Sequence, residues 1–108
     1  MISSDAIRGY NDMMILYLLL EEPSYGYEIS KEIKEKTGGR YTIKETTLYS
    51  AFSRLEKGDC IESFPGNETN GRKRTYYRIT DTGKECYREK CREWQLIQEV
   101  VDKFYIEE

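Results

Sequence analysis

The sequence predicts a mainly α-helical fold with a small β-hairpin, and three patterns along the chain lead to this prediction. Apolar residues recur every three or four positions in several stretches, as they do on one face of a helix. Two short stretches rich in aromatic and β-branched residues alternate instead, and they flank a segment with Pro, Gly and Asn. Residues 81–108 carry a helical apolar seam. A chain of 108 residues is enough for one core.

The net charge of −3 is distributed unevenly along the chain. Residues 1–39 and 79–108 each carry a net charge of −3, whereas residues 40–78 carry +3. Because local potential decides where a polyanion docks, the middle third is the candidate binding region. No apolar run is long enough to cross a bilayer, and no signal peptide is recognisable, so a cytoplasmic protein without a membrane partner is expected.

The first predicted helix, residues 7–20, is apolar nearly all round, which indicates that other elements cover it on several sides. Pro23 ends this helix, since proline disfavours a helical residue before it. Ser24 is in position to cap a second helix, and Gly38 and Gly39 stop that helix.

The central helix, predicted at residues 45–58, has two different faces. Leu48, Phe52 and Leu55 recur at i, i+4 and i+7 and form a stripe that faces a core. The opposite face carries hydroxyl groups and one guanidinium in place of residues that are better helix formers. These groups can donate hydrogen bonds to phosphates and base edges. The residues of that face are Thr46, Thr47, Tyr49, Ser50, Ser53 and Arg54. The alternative is a poorly formed, partly buried helix beside a loop.

Alternating stretches at residues 60–64 and 75–79 predict a hairpin with a long tip. Its second limb opens with three consecutive cations, Arg72, Lys73 and Arg74. Such a cluster is either solvated surface or a contact for nucleic acid.

A long C-terminal helix is predicted to start at a Thr80 cap and to run to about residue 105. One apolar seam consists of Tyr87, Trp94, Ile97, Val101 and Phe104, and Leu96 and Val100 add a second stripe. A small domain has too little surface to cover this seam, so we expect the same helix of a second copy to pack on it in a homodimer. The alternative is packing wholly within one chain. The predicted units are therefore residues 1–80 and a dimerisation helix at residues 81–108.

Catalysis and metal binding are not expected. The chain has no His, no glycine-rich phosphate loop and three cysteines without a C-x-x-C pair, so neither a metal nor a cofactor is predicted. Cys86 and Cys91 lie at different angles on one helix and cannot bridge to each other there. Together with Cys60 they are interpreted as small buried residues, with a thiol sensor as the alternative.

Several fragments resemble the PadR family of bacterial transcriptional regulators, in its short form with a single C-terminal helix. They are Tyr25-Gly26-Tyr27-Glu28-Ile29, Thr47-Leu48-Tyr49, Arg54-Leu55-Glu56-Lys57, Gly71-Arg72-Lys73-Arg74 with Tyr76-Tyr77, and Trp94. The resemblance implies a winged helix-turn-helix DNA-binding domain at residues 1–80, followed by the dimerisation helix. In this family Lys44 stands where a capping Ser or Asn is common.

Family members bind palindromic operators as dimers and repress transcription until a small molecule or another signal weakens binding. The resemblance implies that the central helix reads double-stranded DNA and that the cations of the hairpin hold phosphates. It also implies a backbone contact from the second helix, by Tyr27 or, failing that, Tyr25. A protein-interaction module without sequence-specific DNA binding is the alternative.

Trp94 has two interpretations. Its position in the seam makes it an anchor of the dimer core, whereas the resemblance implies a flat apolar slot for small aromatic ligands between two copies of this residue. Met13 and Tyr17 on the first helix are the other candidate ligand contacts.

Overall fold

The computed structural model describes residues 2–66 and 73–108. Its helices are α1 (Ser4–Ile7), α2 (Asn11–Leu19), α3 (Gly26–Lys36), α4 (Glu45–Lys57) and α5 (Asp81–Asp102), with a 3-10 turn at Arg8–Tyr10. Its strands are β1 (Ser24–Tyr25), β2 (Ile61–Pro65) and β3 (Thr75–Ile79). The predicted order of helices, hairpin and long terminal helix is confirmed.

Helix α2 lies in the middle of the fold and contacts α3, α4 and α5. Its Ile15 and Leu16 are fully buried, as expected for a helix covered on several sides. Helix α4 joins the same core, where the ring of Phe52 stacks on Tyr77 of β3 with ring centroids 4.1 Å apart. The core therefore fixes α4 by one face and leaves its other face outside.

The first predicted helix is divided. Residues 4–19 form α1, a 3-10 turn and α2 instead of one continuous helix. Asn11, at the junction, is buried; its Nδ2 donates to the carbonyl of Arg8 at 3.5 Å, and its Oδ1 accepts from the Tyr41 hydroxyl at 2.6 Å. A side chain that bonds the nearby backbone in this way competes with a regular helix.

The sheet has three antiparallel strands in the order β1-β3-β2, which adds one strand to the predicted hairpin. Ser24 pairs with Tyr77 and is buried, so the prediction that it caps the second helix was wrong. Tyr25 holds the cap position of α3 and makes no side-chain cap. Pairing with β3, distant in sequence, outweighs the local capping signal.

The other helix ends agree more closely with the sequence. Gly38 and Gly39 have φ of 62° and 78°, and the Gly39 N–H donates to the Lys34 carbonyl at 2.9 Å, which closes α3. Thr80 caps α5 by accepting the N–H of Gly83 at its hydroxyl, 3.0 Å away. Helix α5 ends at Asp102, three residues before the predicted end.

Candidate nucleic-acid interface

The outer face of α4 is exposed, and its short polar side chains lie together. Leu48, Ala51, Phe52 and Leu55 are buried on the inner face. The outer face forms a shallow surface lined by Thr46, Tyr49, Ser50, Ser53, Arg54 and Lys57. The predicted division of this helix into an apolar and a hydroxylic face is therefore what the structure contains.

The beginning of α4 lies in a second surface depression. Lys44 occupies the cap position with an extended backbone and makes no side-chain cap, as the departure from the family pattern suggested. Thr46 and Thr47 line this depression together with Arg8 and Lys44, and Thr47 is half-buried there. First-turn N–H groups without a side-chain cap remain available to an anionic group.

A groove between the helices and the hairpin forms the other flank of α4. It is lined by Tyr25, Gly26, Tyr27, Tyr49, Lys73, Arg74, Thr75 and Tyr77. A Cβ added at Gly26 would lie 2.6 Å from the Tyr49 hydroxyl oxygen, so the absence of a side chain there lets α3 and α4 meet. Tyr27 is 68% exposed beside them. The Tyr49 hydroxyl therefore lies close to the start of α3, on the groove that Tyr27 also lines.

The cations of the hairpin differ in their surroundings. Arg74 is half-buried, with its guanidinium 4.3 Å from the centroid of the Tyr25 ring. Its Nε is buried and has no hydrogen-bond partner among the described residues. Lys73 is exposed at the mouth of the same groove, and Arg72 lies outside the described residues.

Arg54 makes an ion pair that sequence reasoning missed. Its Nε and Nη2 donate to the two carboxylate oxygens of Asp12 at 3.1 and 2.5 Å. This hydrogen bond raises the pKa of Arg54, so the guanidinium is firmly protonated. Asp12 lies 42 positions earlier in the chain, too far for any local pattern to signal the pair.

The three predicted ligand contacts, Met13, Tyr17 and Trp94, line one cleft of about 320 Å³ between α2, α3 and α5. Tyr10, which the sequence analysis missed, contacts Trp94 edge-to-face with ring centroids 5.1 Å apart. The Nζ of Lys36 lies 5.0 Å from the centroid of the Tyr17 ring. The remaining walls are largely apolar, so the cleft can accommodate an apolar group.

The predicted dimer residues fall into two groups. Tyr87 and Ile97 are half-buried against their own chain, and Trp94 is 37% exposed beside Tyr10. The last turns of α5 and the segment after it carry large apolar side chains in the open, and Phe104, two residues beyond the end of α5, is 83% exposed. The exposed set is Leu96, Val100, Val101, Phe104, Tyr105 and Ile106. The first half of the seam thus packs within the chain, and the second half has no cover from the described residues.

The three cysteines differ in burial. Cys60 is buried, as expected, while Cys86 and Cys91 are half-buried. Burial, together with the neighbouring Cys86 thiol, raises the pKa of Cys60 to about 11. A thiol protonated at neutral pH is a poor nucleophile, which argues against a thiol sensor at Cys60. Within residues 2–66 and 73–108 no cluster of metal-ligating side chains occurs, and no helix has the length and apolar character to cross a membrane.

Helix α4 has an exposed hydroxylic face, is supported by two helices and is flanked by a β-hairpin that carries cations. This arrangement defines a winged helix-turn-helix protein of the transcriptional regulator class. Comparison with known proteins gives the family. Residues 15–89 match the model of the "Transcriptional regulator PadR-like family". The chain belongs to this family, and its members are transcriptional regulators, not enzymes.

Individual relatives support this assignment. A transcriptional regulator from Clostridium thermocellum is 58% identical, with a TM-score of 0.89 over 95% of this chain and 100% of that chain. A PadR family transcription regulator from Clostridium difficile is 36% identical, with a TM-score of 0.75 over 89% of this chain and 98% of the other. An uncharacterised protein X of Lysinibacillus sphaericus is 49% identical over 104 residues, which are 96% of this chain and 95% of that protein.

Proposed function

We propose that two copies of this regulator bind a palindromic DNA operator and repress transcription until a small aromatic molecule releases them. The observation that carries the proposal is the hydroxylic face of α4, exposed between two depressions that contain cations. Helix α4 enters the major groove, where Thr46, Ser50 and Ser53 meet base edges or phosphates. Tyr27, Thr47 and Tyr49 contact the backbone from the sides, as do Arg54, Arg72, Lys73 and Arg74.

Dimerisation is inferred from the exposed apolar side chains in the second half of α5 and in the segment that follows it. The six large apolar side chains there, from Leu96 to Ile106, need a covering surface, and the same helix of a second copy supplies one. A two-fold dimer places two α4 helices in successive major grooves, about 34 Å apart. A palindromic operator is the DNA counterpart of this symmetry.

The test is a gel-shift titration with DNA from upstream of the protein's own coding region, followed by footprinting. A protected palindrome, not displaced by a scrambled duplex of equal composition, supports the proposal. Equal affinity for both duplexes at low salt would contradict it and favour the alternative, a module that binds proteins through the same face.

Lys73→Ala is expected to flatten the dependence of log affinity on log salt by about one unit, because each phosphate contact releases close to one counterion. Lys73 is chosen because it is exposed at the groove beside α4. Fluorescence anisotropy at several salt concentrations measures the slope. Lys34→Ala, which removes the same charge near the far end of α3, is the matched control and should leave the slope unchanged. An unchanged slope for Lys73→Ala would remove this residue from the interface.

The cleft is proposed to bind the releasing ligand, and Trp94 reports on it because it is the only Trp of the chain. Planar cationic dyes should quench its fluorescence, since they can stack on Trp94 and displace Lys36 from the Tyr17 ring. Tyr17→Ala should weaken dye binding about tenfold, the scale of one aromatic contact. Tyr27→Ala removes the same group outside the cleft and serves as control. Absence of quenching across a broad dye panel would contradict the proposed site.

A further inference from the structure

Asp12 and Arg54 connect the first turn of α2 to the last turn of α4. The carboxylate receives Nε–H and one Nη2–H of the guanidinium, at 3.1 and 2.5 Å. Two parallel hydrogen bonds of this kind fix the orientation of both planar groups, which a single contact cannot do. Arg54 therefore has a defined direction on the surface of α4.

The two partners differ in burial. The side chain of Asp12 is only 14% exposed, whereas that of Arg54 is 58% exposed. A guanidinium has five N–H donors, and the carboxylate uses two of them. The remaining three are available on the surface that Arg54 shares with Ser50 and Ser53.

The pair carries no net charge, which matters for binding a polyanion. A mobile cation attracts every phosphate, so it strengthens binding to any DNA sequence. An arginine whose positive charge is balanced by a carboxylate, and whose side chain that carboxylate holds in place, adds little to this general attraction. It still donates directional hydrogen bonds to a phosphate that arrives at its outer edge.

We propose that Asp12 is a positioning residue that sets DNA specificity: it suppresses the sequence-independent attraction of Arg54 and aims its free N–H groups at one operator phosphate. The proposal rests on the DNA-binding function proposed above. Non-specific complexes, in which the backbone adopts many positions, gain little from a fixed donor. The operator complex has one register and gains the full contact.

The test compares wild type with Asp12→Asn on two duplexes, the footprinted upstream fragment and a scrambled sequence, over a salt series. The variant keeps the shape of the side chain and removes its charge. We expect its affinity for scrambled DNA to rise about threefold near 0.1 M salt, with a slope steeper by about one unit. Its affinity for the upstream fragment should fall about threefold, so the specificity ratio should drop on the order of tenfold.

Two controls separate this role from general effects. Glu85→Gln removes one negative charge from α5, where Glu85 pairs with Arg88, and should leave the ratio unchanged. In an Arg54→Ala background, Asp12→Asn should no longer change the ratio. If Asp12→Asn does not fold, Arg54→Lys keeps the charge without the planar fork and should lower the ratio in the same way.

Outcomes distinguish the two proposals. Equal affinity of the wild type for both duplexes rejects the proposed function and, with it, this inference. A clear wild-type preference that Asp12→Asn leaves unchanged rejects the inference alone. The same holds if Glu85→Gln produces an equal drop, or if the effect persists without Arg54.

Discussion

Gly83→Ala is expected to destabilise the protein by about 3 kcal/mol, the upper range for forcing extra atoms into a packed site. A Cβ at position 83 would collide with the carbonyl oxygen of Cys60 and lie 2.7 Å from Cγ1 of Ile79. A carbonyl of the backbone cannot rotate away as the end of a side chain can. Helix α5 would have to shift off the core.

The start of α5 has little freedom for such a shift. The Thr80 hydroxyl accepts the N–H of Gly83 at 3.0 Å and donates to the Asp59 carbonyl at 2.5 Å. The Thr80 N–H in turn donates to the Cys60 carbonyl at 3.0 Å. These bonds fix the first turn against the end of α4, so the added methyl group strains several contacts at once.

Urea unfolding followed by circular dichroism measures the change in free energy of unfolding. Gly9→Ala is the matched control, because a Cβ there meets nothing within 4 Å. Its effect should stay within about 0.5 kcal/mol, the range of ordinary surface substitutions. Equal midpoints for the two variants would show that α5 does not pack on Cys60 as described.

Local patterns predicted the elements whose structure depends on neighbours in sequence. The stripe of Leu48, Phe52 and Leu55 placed α4 and its exposed face, because helical periodicity alone determines which side is buried. The Thr80 cap predicted the start of α5, since its partner Gly83 is three residues away. The resemblance to the PadR family indicated that these elements bind DNA. Periodicity alone carries no information about that role.

Contacts between distant segments could not be read in this way. Ser24 has the local signature of a helix cap, but its pairing with Tyr77 makes it a strand residue. Asp12 and Tyr10 looked like ordinary polar and aromatic positions, and only the fold brings them to Arg54 and Trp94. The parts of the candidate site that tertiary structure assembles were therefore the parts that sequence reasoning missed.

Helix α4 ends at the pair Gly58-Asp59. Asp59 adopts φ of 58°, a left-handed conformation that favours glycine, while Gly58 lies at −86°. The Cys60 N–H still closes the helix by donating to the Leu55 carbonyl at 2.9 Å. Aspartate tolerates this conformation better than most residues, so the turn is retained.

Val101→Glu is expected to dissociate the proposed homodimer into monomers and to weaken operator binding about 100-fold or more. Val101 is 56% exposed in the single chain, within the uncovered apolar half of α5. A carboxylate there stays solvated in the monomer, whereas a dimer packed on this part of α5 would bury two of them without partners. The fold should therefore survive while association is lost.

The loss of affinity follows from the second half-site. In a dimer, binding of one α4 helix brings the other to its half-site at high effective concentration, which contributes 10²- to 10⁴-fold to the overall affinity. A monomer keeps all its own DNA contacts and loses only this factor. Weak binding to a single half-site should therefore persist, with a smaller salt dependence.

Sedimentation velocity and the operator titration test both parts of this prediction. Gln95→Glu is the matched control, because it adds the same charge at an exposed position about 100° around the helix from Trp94, away from the apolar seam. This control should remain dimeric and bind the operator like the wild type. If the Val101→Glu protein remains dimeric, the dimer interface does not lie on this part of α5. The spacing of the two α4 helices in the dimer would then have to be set by another surface.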